Sequence, residues 1–269
     1  SEGTIKLVRL RERIKSLQKD NPELAFFDKS LLDLFKHWFN PSFLVLQNID
    51  WATPANILEK IIAYEAVHEI NSWDDLRARL APEDRRCFAF FHPLMPDEPL
   101  IFVEVALTDN MPKTINDIIK IDRKITLDED ITTAVFYSIS NCQKGLWGIS
   151  FGNFLIKNVA HKLKQENEGL DRFTTLSPAP GFTKWLKKKS IDENIDEDTL
   201  LKQALIYLID SDREDGLPND PVAKFHLGNG AILERINLNA DLSKKGLNQS
   251  KGMMINYLYD LDSLEKNHE

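Results

Sequence analysis

Gly145-Leu-Trp-Gly148-Ile-Ser150-Phe-Gly152-Asn153 separates two segments of different periodicity. Before it, Thr133 to Ser140 has the Val, Ile, Phe and Tyr content of a strand. After it, Leu155, Ile156, Val159 and Leu163 recur at helical spacing until Gly169 closes the segment. Glycines between a strand and a helix let backbone N–H groups converge on an anion at the helix N-terminus, where unpaired donors and the dipole both favour phosphate. The same spacing suits a tight turn with close helix packing. Special backbone is concentrated in this half of the chain, since of eleven glycines only Gly3 precedes Gly145.

Outward from that turn, helices and strands follow in mixed order. Leu7, Leu10, Ile14 and Leu17 predict one amphipathic helix, and Leu31, Leu34, Phe35 and Trp38 a second. The second stops at Asn40-Pro41, because the residue before proline is pushed out of the α region. An extended run from Phe43 to Trp51 comes next. Thr53-Pro54 announces a helix with Ile57, Ile61 and Ile62 on one face, and Ser72 with Asp75 a capping box for another that ends before Pro82. Strands are expected at Cys87 to Phe91, Leu100 to Leu107 and Phe173 to Leu176. A short helix through Trp185 and an acidic one from Glu193 to Ile209 follow. Ala223 to Leu227 and Ala231 to Asn237 are expected as a final strand pair joined by Gly228-Asn229-Gly230. The fold class is α+β, a mixed central sheet flanked by helices and preceded by a short helical segment.

This order resembles that of the GNAT acyltransferase superfamily. The break at Asn40-Pro41 makes residues 1–40 a helical segment, too small to stand alone and read as the remnant of an N-terminal helical domain, and the resemblance makes residues 41–269 a GNAT-like catalytic domain. It also makes Gly145, Gly148, Ser150, Gly152 and Asn153 candidates for the pyrophosphate of coenzyme A. Their match to the superfamily's Gln/Arg-x-x-Gly-x-Gly/Ala motif is partial.

Composition removes several classes. The 269 residues carry 34 Lys+Arg against 42 Asp+Glu, a net charge of −8, with no long basic block, so the footprint of a nucleic-acid binder is lacking. Leu100 to Leu107, the most lipophilic stretch, is interrupted by Glu104 and is far shorter than the roughly 18 to 20 apolar residues of a membrane span. Ser1 to Lys19 mixes both charge signs and reads as no secretory segment. Cys87 and Cys142 make neither a disulfide framework nor a metal cluster; they read as small buried hydrophobes in a reducing compartment. A cytoplasmic location is expected, or a mitochondrial or peroxisomal one in a eukaryote. The charge runs Lys187 to Lys189, Asp192 to Asp198 and Asp210 to Asp215 read as solvated helix ends and loop.

Two further residues are placed for chemistry. Pro178 holds Ser177 extended, and with Ala179, Pro180 and Gly181 it presents the hydroxyl on a stiff bend. A helix N-cap followed by proline would look the same. His226 lies in Phe225-His-Leu-Gly-Asn-Gly, read as a strand before a hairpin, where a packed histidine is equally at home. His37, His68, His92, His161 and His268 show no ligand-like pairing with it, so no metal site is expected. Ser177 and His226 form a hydroxyl–imidazole pair only if the fold brings them together.

Five stretches resemble the malonyl-CoA decarboxylase family: Ala134 to Ser140, Gly148 to Lys157, Thr175 to Leu186, Phe225 to Ala231 and Gly252 to Tyr259. The resemblance implies conversion of malonyl-CoA to acetyl-CoA and carbon dioxide, with no metal or organic cofactor beyond the CoA thioester substrate. The family's catalytic serine and histidine fall on Ser177 and His226, and Ser138 and Tyr259 match positions lining the malonyl site. At Ser150 some family members carry a glutamate. The expected partners are malonyl-CoA and acetyl-CoA, with a homo-oligomer possible. The alternative enzyme is a GNAT acyltransferase moving an acyl group from CoA to an amine or carrier-protein thiol; a third reading is a non-catalytic acyl-CoA sensor.

Overall fold

The computed structural model describes residues 2–191, 195–209 and 216–260. It opens with α1 (Glu2–Leu17) and α2 (Leu24–Trp38). The face of α1 that packs is not the expected one: Thr4, Val8 and Arg11 are buried while Leu10 and Leu17 are exposed. The cause is Arg11, a charged residue that apolar periodicity does not count, whose hydrogen bonds turn its own face inward. In α2 the buried residue is Phe35, and Phe39 just beyond it is also buried.

Next come β1 (Val45–Asn48), α3 (Ala55–Tyr64), α4 (Trp73–Leu80), β2 (Arg85–Phe91) and β3 (Ile101–Thr108). Helix α3 buries Ile57, Leu58 and Ile61; Thr53 does not cap it, since its hydroxyl accepts from the Asp50 N–H. Ser72 caps α4 as expected, accepting from the Asp75 N–H at 3.1 Å, while the Asp75 carboxylate reaches back to the Asn71 N–H at 3.0 Å. After α5 (Asn116–Ile119) come β4 (Thr133–Asn141), α6 (Gly152–Glu166), β5 (Arg172–Thr175), β6 (Ser177–Pro178), α7 (Phe182–Lys188) and α8 (Glu197–Ile209). The chain then forms α9 (Pro221–Gly228), β7 (Ile232–Asn237), α10 (Lys244–Ser250) and β8 (Met254–Tyr259).

One expectation fails outright. Ala223 to Leu227 is helix α9, not a strand, so His226 is helical and Gly228-Asn229-Gly230 ends a helix instead of turning a hairpin. The reason is Asp220, whose Oδ1 accepts from the Val222 and Ala223 N–H groups at 2.9 Å each, with Pro221 in the first turn. Helix α10 and strand β8 were not anticipated by periodicity. The run Asp210 to Asp215, residues 192–194 of the other acidic run, and His268 lie outside the described residues.

The sheet is mixed, with strand order β1-β2-β3-β4-β5-β8-β6 and β7 on the other side of β8. Strands β4 and β5 pair in parallel, and β8 pairs antiparallel with β5, β6 and β7. The chain divides into two compact units: Ser1–Glu104 with Ser138–Lys162, and Val105–Tyr137 with Leu163–Glu269. The first has a core in which α3 and α4 residues such as Ile61 and Leu76 meet Cys87, Phe91 and Phe102 of the strands. In the second, Ile115 and Ile118 pack on Val135, Tyr137, Leu176 and Met254. Cys87 and Cys142 are free thiols, both buried. Among the described residues no helix is long and apolar enough to cross a membrane.

Candidate active site

Strands β5 and β6 run along one edge of β8 in a single register, Phe173 opposite Tyr259 and Ser177 opposite Ile255. Ser177 is therefore fixed to the sheet, and α7 starts only at Phe182, so it is no helix cap. Its Oγ donates to Thr175 Oγ1 at 3.0 Å. Thr175 Oγ1 also accepts from the Tyr257 N–H at 3.2 Å, which ties the serine's support to the backbone of β8.

His226 meets Ser177 from α9: Nε2 lies 3.1 Å from Ser177 Oγ, bridging 49 positions of sequence. Its other nitrogen, Nδ1, lies 2.8 Å from the Tyr259 hydroxyl. Tyr257 lies nearly flat on the imidazole, ring centroids 4.7 Å apart at 23°. Alternation along β8 puts residues 255, 257 and 259 on one face, so one strand faces Ser177 and supplies both tyrosines. The structure thus brings together Ser177, His226 and Tyr259. Thr175 and Tyr257 were missed by sequence reasoning; alternation from Tyr259 would have found Tyr257.

Burial drives the His226 pKa down to about 3, so the ring is neutral at physiological pH. Burial pushes the Tyr259 hydroxyl well above its usual value, so it keeps its proton. That proton's hydrogen-bond partner is Nδ1, and we assign the imidazole hydrogen to Nε2 from this network. Donation then runs in one direction, from Tyr259 to Nδ1 and from Nε2–H to Ser177. This is the reverse of a nucleophile-activating triad, where a carboxylate accepts from Nδ1–H and Nε2 takes the serine proton. The arrangement is suited to giving a proton or hydrogen bonds to a developing anion.

The other candidate residues lie in the first unit. Ser138 is buried, and its hydroxyl is committed to the Glu65 carboxylate, at 2.8 and 2.7 Å from the two oxygens. Glu65 also accepts from the Val67 and His68 N–H groups, at 2.7 and 2.8 Å. Gly145 sits in a short 3-10 turn and is approached by α1, where a side chain would collide with the Val8 carbonyl. Arg11, 1% exposed, locks that approach, with Nη1 donating to the Gly145 and Trp147 carbonyls at 2.8 and 2.9 Å and Nε to Asp28 at 2.9 Å. Gly148 takes φ +96°, open to glycine at little cost. Ser150 is exposed, Gly152 opens α6, and Asn153 follows with its Oδ1 buried and without a hydrogen-bond partner among the described residues.

Comparison with known proteins is consistent across the chain. The model of the malonyl-CoA decarboxylase C-terminal domain matches residues 42–197 and 188–269, and that of the malonyl-CoA decarboxylase N-terminal domain matches residues 1–39. The mitochondrial malonyl-CoA decarboxylase of Anser anser anser is 35% identical over 319 residues, covering 99% of this chain. The chain spans 63% of that relative's length. Crystal structures of malonyl-CoA decarboxylases from Rhodopseudomonas palustris and Agrobacterium vitis are each 49% identical, with TM-scores of 0.87 and 0.89. They cover 100% and 99% of this chain and 72% of each crystallised chain. The structure of a GNAT-like decarboxylase in complex with isobutyryl-CoA matches 81% of this chain and 99% of its own at TM-score 0.56 and 15% identity, a likeness of fold that makes the mixed α+β architecture GNAT-like.

Proposed function

This chain belongs to the malonyl-CoA decarboxylase family, and we propose that it cleaves malonyl-CoA to acetyl-CoA and carbon dioxide using Ser177, His226 and Tyr259. The observation that carries the assignment of these residues is the continuous contact from the Tyr259 hydroxyl through both His226 ring nitrogens to the Ser177 hydroxyl, at 2.8 and 3.1 Å.

Breaking the carbon–carbon bond to the carboxylate releases carbon dioxide and sends the electron pair into the thioester carbonyl, leaving an enolate. A dry, preorganised site favours this step, because the carboxylate loses water as its charge disperses. The enolate then needs a proton at its methylene carbon. In our reading Ser177 delivers it, taking Nε2–H from His226 in turn while Nδ1 receives the Tyr259 proton. To reset the site, a solvent proton reaches Nε2 as Nδ1 returns its proton to Tyr259, so one proton is consumed per turnover. A thioester α-carbon is a far weaker acid than a phenol, so the transfer runs downhill even with Tyr259 acidity suppressed by burial. Ser177 is a proton donor here and not a nucleophile, because Nε2 carries a hydrogen and cannot take the serine's.

The turn from Gly145 to Asn153 is our candidate for the CoA pyrophosphate. Support comes from the N–H groups of the first turn of α6, which have no acceptor within the helix. We also read residues 1–40 as part of a helical domain and 41–269 as the catalytic one, which the break between the two family models, at 39 and 42, supports. Two buried free thiols favour a reducing compartment.

The test is to mix the purified chain with malonyl-CoA alone, with a chelator present, and follow acetyl-CoA and carbon dioxide. Product without any acceptor or metal is expected. No product at high enzyme concentration overturns the decarboxylase, and product only when an amine or thiol acceptor is added makes the chain a transferase.

A further inference from the structure

Asp220 does more than cap α9. Its Oδ1 holds the Val222 and Ala223 N–H groups, whereas its Oδ2 accepts from the Tyr207 hydroxyl at 2.6 Å and faces the Gly181 N–H at 3.5 Å. One fully buried carboxylate therefore joins three segments: the helix that carries His226, the bend that carries Ser177, and α8. Tyr207 is itself clamped, its ring 5.5 Å from both Phe182 and Trp185 of α7, the helix that the Ser177 bend leads into. Gly181 has no room for a side chain, since a Cβ there would strike the Tyr207 hydroxyl.

The need for such an anchor follows from the size of α9. Eight residues are too few to hold a helix by its own hydrogen bonds, so its direction is set by what its ends and faces touch. His226 stands six residues beyond Asp220, and the Ser177–His226 contact of 3.1 Å has no slack for a tilted helix. Burial pushes the Tyr207 hydroxyl up in pKa, so it remains a donor to the carboxylate at any physiological pH. The His226 pKa is lowered by burial.

We infer that Tyr207 and Asp220 are positioning residues for the reaction: their hydrogen bond sets the His226 helix against the Ser177 bend, without touching the substrate. This rests on the reading of Ser177 and His226 given above.

Three variants test it. Tyr207→Phe keeps the ring packing and removes only the hydroxyl. Asp220→Asn keeps an oxygen to cap α9 but offers an amide to Tyr207 where an acceptor is required. The third combines them. Misplacement of a reacting group by less than an ångström is expected to lower kcat roughly ten- to a hundredfold with KM within about twofold, and the double variant should fall no further than either single one. A variant Tyr207→Phe with wild-type kcat overturns the proposal. So does a loss that is additive in the double variant, or one that vanishes once kcat is expressed per folded molecule. The 15N resonances of the His226 ring give a second readout that needs no turnover, and Tyr207→Phe should shift them; unchanged resonances also overturn it. If wild type itself makes no acetyl-CoA, the functional reading fails while the ring resonances still decide whether Tyr207 sets His226.

Discussion

The turn around Gly145 and the bend around Ser177 are both stiff, glycine-bearing loops that precede a helix, yet they are stiff for different reasons. At Gly145 the missing side chain makes room for the Val8 backbone of α1, and Arg11 directs its donors at main-chain carbonyls. At Ser177 the donors and acceptors are side chains linked in series, Tyr259 to His226 to Ser177 to Thr175. A loop fixed by backbone contacts holds shape. A loop fixed by titratable side chains in series can also move protons. The contrast predicts that substitutions in the first region act on stability and on KM for the CoA thioester, and those in the second on kcat.

The largest effect should come from the second region. His226→Ala or Ser177→Ala removes a link in the proton path and should lower kcat by about a thousandfold, a loss within the span of general acid catalysis. Turnover of malonyl-CoA measures it, and thermal melting checks that the fold survives. A His226→Ala variant with full activity would remove the role assigned to that residue.

Arg11→Met is the mirror experiment. It leaves Asp28 and two carbonyls without the buried guanidinium and should cost about 3 kcal/mol of stability, as breaking a buried ion pair does. Denaturant unfolding measures the loss, while kcat per folded molecule should stay near wild type. If kcat collapses with stability intact, the division between a shape-holding and a proton-moving region is wrong.

A smaller effect is expected from pH. In the folded chain His226 stays neutral down to about pH 3, whereas in the unfolded chain an imidazole binds a proton near 6.5. The unfolded state thus carries the extra proton between those values. The contribution to stability is complete above about 6.5 and declines as pH falls towards 3, by about 1.4 kcal/mol per unit. Urea unfolding of wild type and His226→Asn at pH 7, 6 and 5 should show the slope in the first and a flatter line in the second. The profile of kcat/KM should likewise show no acid inflection near 6.5 from this residue.

Much of this architecture was legible in the sequence because it is local. The strands at 85–91, 101–108 and 133–141, the α6 stripe and the Ser72 cap depend on residues a few positions apart. Helix α9 was misread even though its signal was local too. Asp220-Pro221 is a local cap-then-proline pattern of the kind read as a helix start at Thr53-Pro54, but Gly228-Asn229-Gly230 reads as a hairpin and turns the residues before it into a strand. For α1 the buried face centres on Arg11, and no apolar count finds a buried arginine whose partners stand 17 and 134 positions away. The bond from Tyr207 to Asp220 was beyond pattern reading for a different reason: nothing in two polar residues 13 apart says that they face each other. Local sequence marks Ser177 and His226 as candidates, the resemblance gives them roles and adds Tyr259, and the fold brings the three into contact.

The order in which these three donate makes the smallest effect the most informative. Tyr259→Phe removes the hydroxyl that meets Nδ1 while leaving the ring packing. Without it the imidazole hydrogen is free to move to Nδ1, and Nε2 then accepts from Ser177 instead of donating to it. The Nε2–H tautomer stays populated as a minor form that still donates, so kcat should fall about tenfold, roughly the worth of one hydrogen bond to a group gaining charge. The ring hydrogen itself can be followed by 15N spectroscopy, on Nε2 in wild type and shifted towards Nδ1 in the variant. If wild type already carries it on Nδ1, donation runs from serine to histidine, Ser177 becomes a nucleophile candidate, and the proton relay must be abandoned. If the hydrogen stays on Nε2 in both, a contact other than Tyr259 fixes the tautomer, and the fall in kcat should be absent as well.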